Sequence, residues 1–331
     1  MPASPELSKN RTILAAAALL LCGCEGVQSA LEPAGPHAAS IARIWWAMFW
    51  GACAVLLLVT SLALYAFIRS PQRRERTRPD RIILAGGVAL PVVTLTALLA
   101  YGVHAMASLR TLAEDAIEIE VVGNRWWWDV HYLGEDGEVI RTANEIRVPA
   151  GRAVLLSLRS NDVIHSFWVP SLAGKMDLIP GRTNRLIIQA DRPGVYRGQC
   201  AEYCGAQHAR MGMHVIAERP ADFSVWLDRQ RAPATVPGDE SMLRGRQAFV
   251  QRCAGCHTVR GTSEARSAGP DLTHLASREF IGAGTLPNNR ENLLAFIART
   301  QELKPGSAMP SQGDLDPVAL ESIVAYLESL H

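Results

Sequence analysis

The chain has 331 residues, too many for one ordinary domain and enough for two or three. Lys and Arg number 33 against 32 Asp and Glu, and a net charge of +1 gives no support to a nucleic-acid partner. An apolar content of 48% excludes a mostly disordered chain, and the crowding of apolar residues into the first third excludes a membrane protein built of spans throughout.

Lys9 and Arg11 precede the apolar run Thr12–Leu21, the charged and apolar regions of an export signal. The run is shorter than the ~20 apolar residues a span needs. It ends in Leu21-Cys22-Gly23-Cys24, which resembles the bacterial lipoprotein cleavage box. The resemblance makes residues 1–23 a signal peptide and Cys24 the lipidated first residue; plain cleavage nearby is the alternative.

A transmembrane helical hairpin is predicted over 41–107, with spans at about 44–68 and 82–106. Trp45, Trp46, Trp50 and Tyr65–Phe67 suit the membrane interfaces at the ends of the first span. Pro91 lies inside the second. The loop Arg69–Arg81 holds six Arg against two acids, which places it in the cytoplasm and both chain ends outside. Everything after about residue 107 is then extracytoplasmic.

Residues 108–228 read as a β domain. Apolar residues alternate or run briefly at Ile117–Val121, Val154–Leu158 and Leu186–Ile188. Gly134–Gly137, Pro149–Gly151, Pro180-Gly181 and Arg192–Gly194 mark turns. Many short strands with regular breaks predict a sandwich or barrel, closed by a helix at Asp222–Gln230. Within it, Cys200, Cys204, His208 and Met211 fall at spacings of four, four and three. A blue-copper loop supplies one Cys, one His and one Met; the additional thiolate here suits a bridged pair of coppers. His165, at a strand-to-turn junction, is the candidate second imidazole. A Cys200–Cys204 disulfide is the bland alternative in an oxidising compartment, and zinc remains open by ligand type.

Residues 229–240 are Pro- and Ala-rich and read as a linker. Residues 241–331 then form a second redox domain. Cys253-Ala-Gly-Cys256-His257 is the haem c attachment signal, with His257 on the iron. A thioredoxin-like pair would need a βαβ context that this mostly helical tail lacks. Helices are predicted at Ser241–Arg252 and Pro317–Leu330, with Gly245 letting them cross closely. His37, His104, His131, His214 and His331 have no cluster around them.

Residues 41–228 resemble subunit II of the haem–copper cytochrome c oxidases. The resemblance is carried by the hairpin, Trp126-Trp127-Trp128, His165-Ser-Phe-Trp-Val-Pro and the Cys200–Met211 loop. It implies a cupredoxin-like β-sandwich holding a dinuclear copper A centre. The implied ligands are His165, Cys200, the carbonyl of Glu202, Cys204, His208 and Met211. The Glu202 carboxylate would face a magnesium shared with subunit I. Trp126 would be where electrons come in, and Trp127 and Trp128 would pack. Arg125 replaces the family's Gln; where many members carry a Glu before the second span the nearest acid is Asp80, to which that role does not transfer.

Residues 241–331 resemble an all-α class I cytochrome c. That resemblance implies Met309 as distal iron ligand and a bond from His257 to the Pro270 carbonyl, with Met242 and His274 left as packing or surface residues. The fusion resembles the caa3-type oxidases. It implies a subunit of a proton-translocating cytochrome c oxidase in a bacterial cell membrane, multi-pass, with both metal domains outside. Subunits I and III are the implied partners, and a cytochrome c or other small redox protein the donor. The oxygen-reducing centre would lie in subunit I, so no residue here is catalytic. A nitric oxide reductase subunit, and a tethered copper or haem carrier or sensor, are the alternative readings.

Overall fold

A computed structural model describes residues 26–68, 79–109, 116–134, 137–235, 238–263 and 268–331. The export signal, Cys24 and most of the Arg-rich loop lie outside the described residues.

Helix α1 (Pro36–Ile68) begins earlier than the apolar run foretells. At 33 residues it is ~50 Å long, more than the ~30 Å hydrocarbon core requires. The excess is its first turns, where Ala38 and Ala42 are buried and the Ala38 N–H donates to the Leu172 carbonyl at 3.2 Å. The second apolar helix, α2, is built of Pro79–Ile82, a π-wound stretch Ile83–Ala89, and Leu90–Leu109. Pro91 has no N–H to give the carbonyl four residues back, and its ring crowds that carbonyl; the wider winding over Gly86-Gly87 lies just before it. Both helices are long and apolar enough to cross a membrane.

The middle of the chain is a sandwich of two five-stranded sheets. One has the order β3-β2-β1-β5-β8: Val139–Ala143, Trp127–Leu133, Ile117–Asn124, Val154–Ser160 and Asn184–Ile188. The other has the order β4-β10-β9-β6-β7: Glu145–Pro149, Gly212–Glu218, Gly194–Cys200, His165–Trp168 and Met176–Leu178. Pairs β1–β5 and β4–β10 are parallel and the rest antiparallel. Ile119, Val121, Trp128, Val130 and Leu156 face Ile146, Phe167, Met213 and Val215 in one buried cluster. Each large side chain so buried contributes ~1.5–3 kcal/mol. On β1 the outward Glu118 accepts from Ser157 Oγ at 2.7 Å, and Glu120 pairs with Arg159 at 3.0 Å, so the alternation in sequence is the alternation of faces. Helix α3 (Pro220–Arg231) closes the sandwich through Phe223.

The C-terminal domain is helical. Helix α4 (Glu240–Arg252) is capped by the Asp239 carboxylate, which accepts the N–H groups of Ser241 and Met242. It crosses α7 (Pro317–Glu328), with α5 (Arg290–Ala298) and the short α6 (Thr300–Leu303) between them in sequence. Phe249, Leu293, Ile297, Ile323, Tyr326 and Leu327 form its core. A two-stranded hairpin, β11 (Phe280–Ile281) and β12 (Leu286–Pro287), departs from the all-α expectation in detail. The end of α3 and the residue after it are tied to the C-terminal domain. Arg260 donates to the carbonyls of Gln230 and Ala232, and His274 bridges the Ala232 carbonyl (3.0 Å) and the His331 carbonyl (2.6 Å).

Candidate metal centres

The β9–β10 connection carries Cys200–Met211. The Cys200 N–H donates to the Met211 carbonyl at 2.9 Å, which closes the loop on itself. Strand β6 runs beside β9, Phe167 opposite Cys200, and so places His165 at the loop's mouth. Side-chain donor atoms of His165, Cys200 and Cys204 lie within 4.8 Å of one another, and all three residues are buried. Cys200 Sγ is 3.8 Å from Cys204 Sγ, 3.8 Å from His165 Nδ1 and 3.2 Å from the Glu202 carbonyl oxygen. Cys204 Sγ is 3.6 Å from His208 Nδ1 and 3.8 Å from Met211 Sδ. Sulfurs at that separation are not bonded, a disulfide being ~2.05 Å. Hydrogen bonds from Cys204 and His165 hold Cys200 far below the usual thiol range, and its thiolate pushes Cys204 up.

The donor set is two cysteine sulfurs, one of them held as a thiolate, two imidazoles, a thioether and a carbonyl. Thiolate and thioether together are soft donors that select copper over the harder divalent ions. The residues present therefore fit a copper pair.

Asp162 is the member that sequence reasoning missed. Its Oδ1 lies 2.8 Å from His165 Nε2, which turns Nδ1 toward the sulfurs, and its Oδ2 accepts the Arg125 N–H at 2.7 Å. The signal was available: a carboxylate three residues before a candidate ligand His. Trp126 follows Arg125. Its indole N–H donates to the Cys204 carbonyl at 3.0 Å, while Trp128 is fully buried in the sandwich. Gly205, at φ 116°, leaves room for that indole: a Cβ there would lie 3.1 Å from Trp126 Cζ2. The Glu202 carboxylate is half-exposed, 3.6 Å from Lys175 Nζ.

In the C-terminal domain Cys253 and Cys256 are free thiols at the end of α4. His257 Nδ1 donates to the Pro270 carbonyl at 2.9 Å, because a carbonyl can only accept. That fixes the tautomer and leaves the Nε2 lone pair free. Gly269 is a cradle for this ring: a Cβ there would stand 2.9 Å from His257 Cε1. Met309 packs against the core with Cys253 and Leu272. Two thiols, an oriented imidazole with a free nitrogen and a thioether fit a covalent haem.

Residues 131–218 match the family model of the cytochrome c oxidase subunit II periplasmic domain, and 242–331 that of cytochrome c. Cytochrome c oxidase subunit 2 of Alkalihalophilus pseudofirmus is 34% identical over 332 residues, 94% of this chain and 94% of the relative. That of Bacillus subtilis is 30% identical over 263 residues, 75% of this chain and 72% of the relative. The solved periplasmic domain of subunit II of cytochrome oxidase of Bradyrhizobium japonicum is 27% identical, covers 36% of this chain and 96% of that one, and has a TM-score of 0.34. Fold and sites define a membrane-anchored redox subunit in which a cupredoxin-like domain is followed by a cytochrome c domain. The chain belongs to the cytochrome c oxidase subunit 2 family, as a subunit of an oxidoreductase.

Proposed function

We propose that this chain receives electrons for a caa3-type haem–copper oxidase, taking them at haem c and passing them through a copper A pair to subunit I. The convergence of two cysteines, two imidazoles and a methionine in one buried pocket carries the reading. When bound, the two groups would supply one-electron acceptance and release. The protein's part is to hold and tune them. Asp162 fixes the His165 ring, burial excludes water from the sulfurs, and the Pro270 carbonyl fixes His257. His257 and Met309 are the proposed iron ligands, a pair that raises the reduction potential. Cys253 and Cys256 are the proposed thioether attachments. His165, Cys200, the Glu202 carbonyl, Cys204, His208 and Met211 are the proposed copper ligands.

Trp126 supports a direct route between the two groups. Its indole bonds the Cys204 carbonyl on one side, and a Cβ on Gly306 of the Met309 loop would lie 3.7 Å from its ring on the other. The Glu202 carboxylate is the proposed magnesium ligand at the subunit I surface. The proposed setting is a multi-pass anchor in a bacterial membrane with both metal domains outside, with which two helices long and apolar enough to cross a membrane agree, and the proposed donor is a small redox protein such as cytochrome c. Subunits I and III complete the proposed complex. The relatives reported above are oxidase subunits, which favours oxygen over nitric oxide as the terminal substrate.

The test is Cys204→Ser in the purified complex. The near-infrared absorption of the copper pair disappears and the haem c spectrum stays. Survival of the near-infrared band in that variant overturns the ligand set.

A further inference from the structure

The sandwich and the haem domain meet across a surface bridged by several hydrogen bonds from one domain to the other. Lys304 is at its centre, 4% exposed. Its ammonium donates to the carbonyls of Trp126 at 2.8 Å, Arg210 at 3.0 Å and Gly282 at 2.9 Å. The first two acceptors belong to the sandwich and the third to the haem domain's own hairpin. Three acceptors match the three N–H bonds of an ammonium. Around it, Gln207 Nε2 donates to the Pro305 carbonyl at 2.8 Å and the Gly212 N–H to the Ala283 carbonyl at 3.0 Å. At the far side Glu145 Oε1 accepts the N–H groups of Glu279 and Phe280, both at 2.8 Å. The His214 ring stacks on Phe280 with centroids 3.8 Å apart.

A cation removed from water is costly unless every donor finds an acceptor. Among the described residues Lys304 has no carboxylate partner, only carbonyl dipoles whose positions are fixed by two separate backbones. A slip between the domains strands the ammonium, so one register is selected over its neighbours. Lys304 binds the backbone of Trp126 itself, and two residues later Gly306 lies against the Trp126 ring.

We infer that Lys304 is a positioning residue that locks the haem domain onto Trp126 in a single docked geometry, and that electrons cross to the copper pair from that fixed state rather than from a swinging domain. The inference rests on the two-metal reading proposed above.

The test uses the purified oxidase complex with Lys304→Met, which keeps the stem and removes the donors, and separately Glu145→Ala at the other side of the interface. Two quantities are measured: the haem-to-copper distance distribution by pulsed electron paramagnetic resonance, and the rate of electron transfer from photoreduced haem c to copper. The wild-type complex gives one narrow separation. Lys304→Met gives a broadened distribution and transfer slower by about tenfold or more, equivalent to ~1.4 kcal/mol of docking free energy, with both optical spectra unchanged. Glu145→Ala shifts both quantities the same way and carries the test if Lys304→Met fails to assemble. A narrow distribution with wild-type transfer in the variants, or a broad distribution in the wild type, overturns the inference. Absence of the copper near-infrared band from the wild-type complex would instead overturn the functional reading beneath it.

Discussion

Gly245→Ala sets two effects of opposite sign against each other. In an isolated helix the change stabilises by ~1 kcal/mol, the difference in helix propensity. In this fold Gly245 sits where α4 crosses α7. A Cβ there would stand 1.8 Å from the Ser322 carbonyl oxygen, 2.4 Å from its carbon and 3.0 Å from Tyr326 Cβ. A carbon needs ~3.3 Å from a carbonyl oxygen, so the helices must part by about 1.5 Å. The obstacle is backbone, which no rotamer change relieves. Parting the helices also opens the Phe249–Tyr326 contact, whose ring centroids are 5.6 Å apart. Overpacking of this kind costs ~1–3 kcal/mol and more when backbone must move. Taking ~3 kcal/mol for the clash and subtracting the propensity gain leaves ~2 kcal/mol of destabilisation. At ~4–8 °C per kcal/mol for a domain of this size, Tm falls by ~8–16 °C. Thermal melting followed through haem c absorbance reads this domain within the full chain. A melting temperature equal to or above wild type would refute the reasoning, since it would mean that propensity outweighs the crossing.

Gly123→Ala tests the imidazole of the proposed copper site without replacing a ligand. The added Cβ would lie 2.7 Å from His165 Cδ2, and His165 supplies each of its three nearest neighbours. The copper near-infrared and electron paramagnetic resonance spectra change while haem c does not; an unchanged copper spectrum contradicts the geometry. A third prediction concerns pH. Burial pushes the Glu145 carboxyl from 4.5 up to about 7, against the Phe280 N–H, the Arg278 and Arg147 guanidiniums and the Glu279 N–H, which pull it down. Between those pH values the folded chain keeps a proton that the unfolded chain has released. Stability therefore falls as pH rises from 4.5 to 7 and this contribution is flat above, a total on the order of 3 kcal/mol. Glu145→Gln removes this part of the slope in melts taken across the window, and parallel slopes in variant and wild type would sink the assignment.

The candidate metal-holding side chains were legible in the sequence because most of them are local. Cys200, Cys204, His208 and Met211 lie on one short loop, and Cys253, Cys256 and His257 on another, so spacing alone exposes them. The apolar spans were legible because a bilayer sets their length. Gly245 was legible because a glycine facing an aromatic stripe has few other uses. The first turns of α1 were not: Pro36–Ala42 is too mixed to read as a span, and it is helical because it packs on Leu172.

What the sequence determined by itself is which atoms are available to hold metal and which segments avoid water. Tertiary structure decided how those atoms face one another. Asp162 orients His165 only because a turn brings them together, and Trp126 reaches Cys204 across 78 residues. Lys304 reaches the Trp126 carbonyl across 178. Such pairings depend on where two backbones come to rest. One strand's spacing carries no record of the carbonyl that another domain will present, so docking is written in the packed molecule alone.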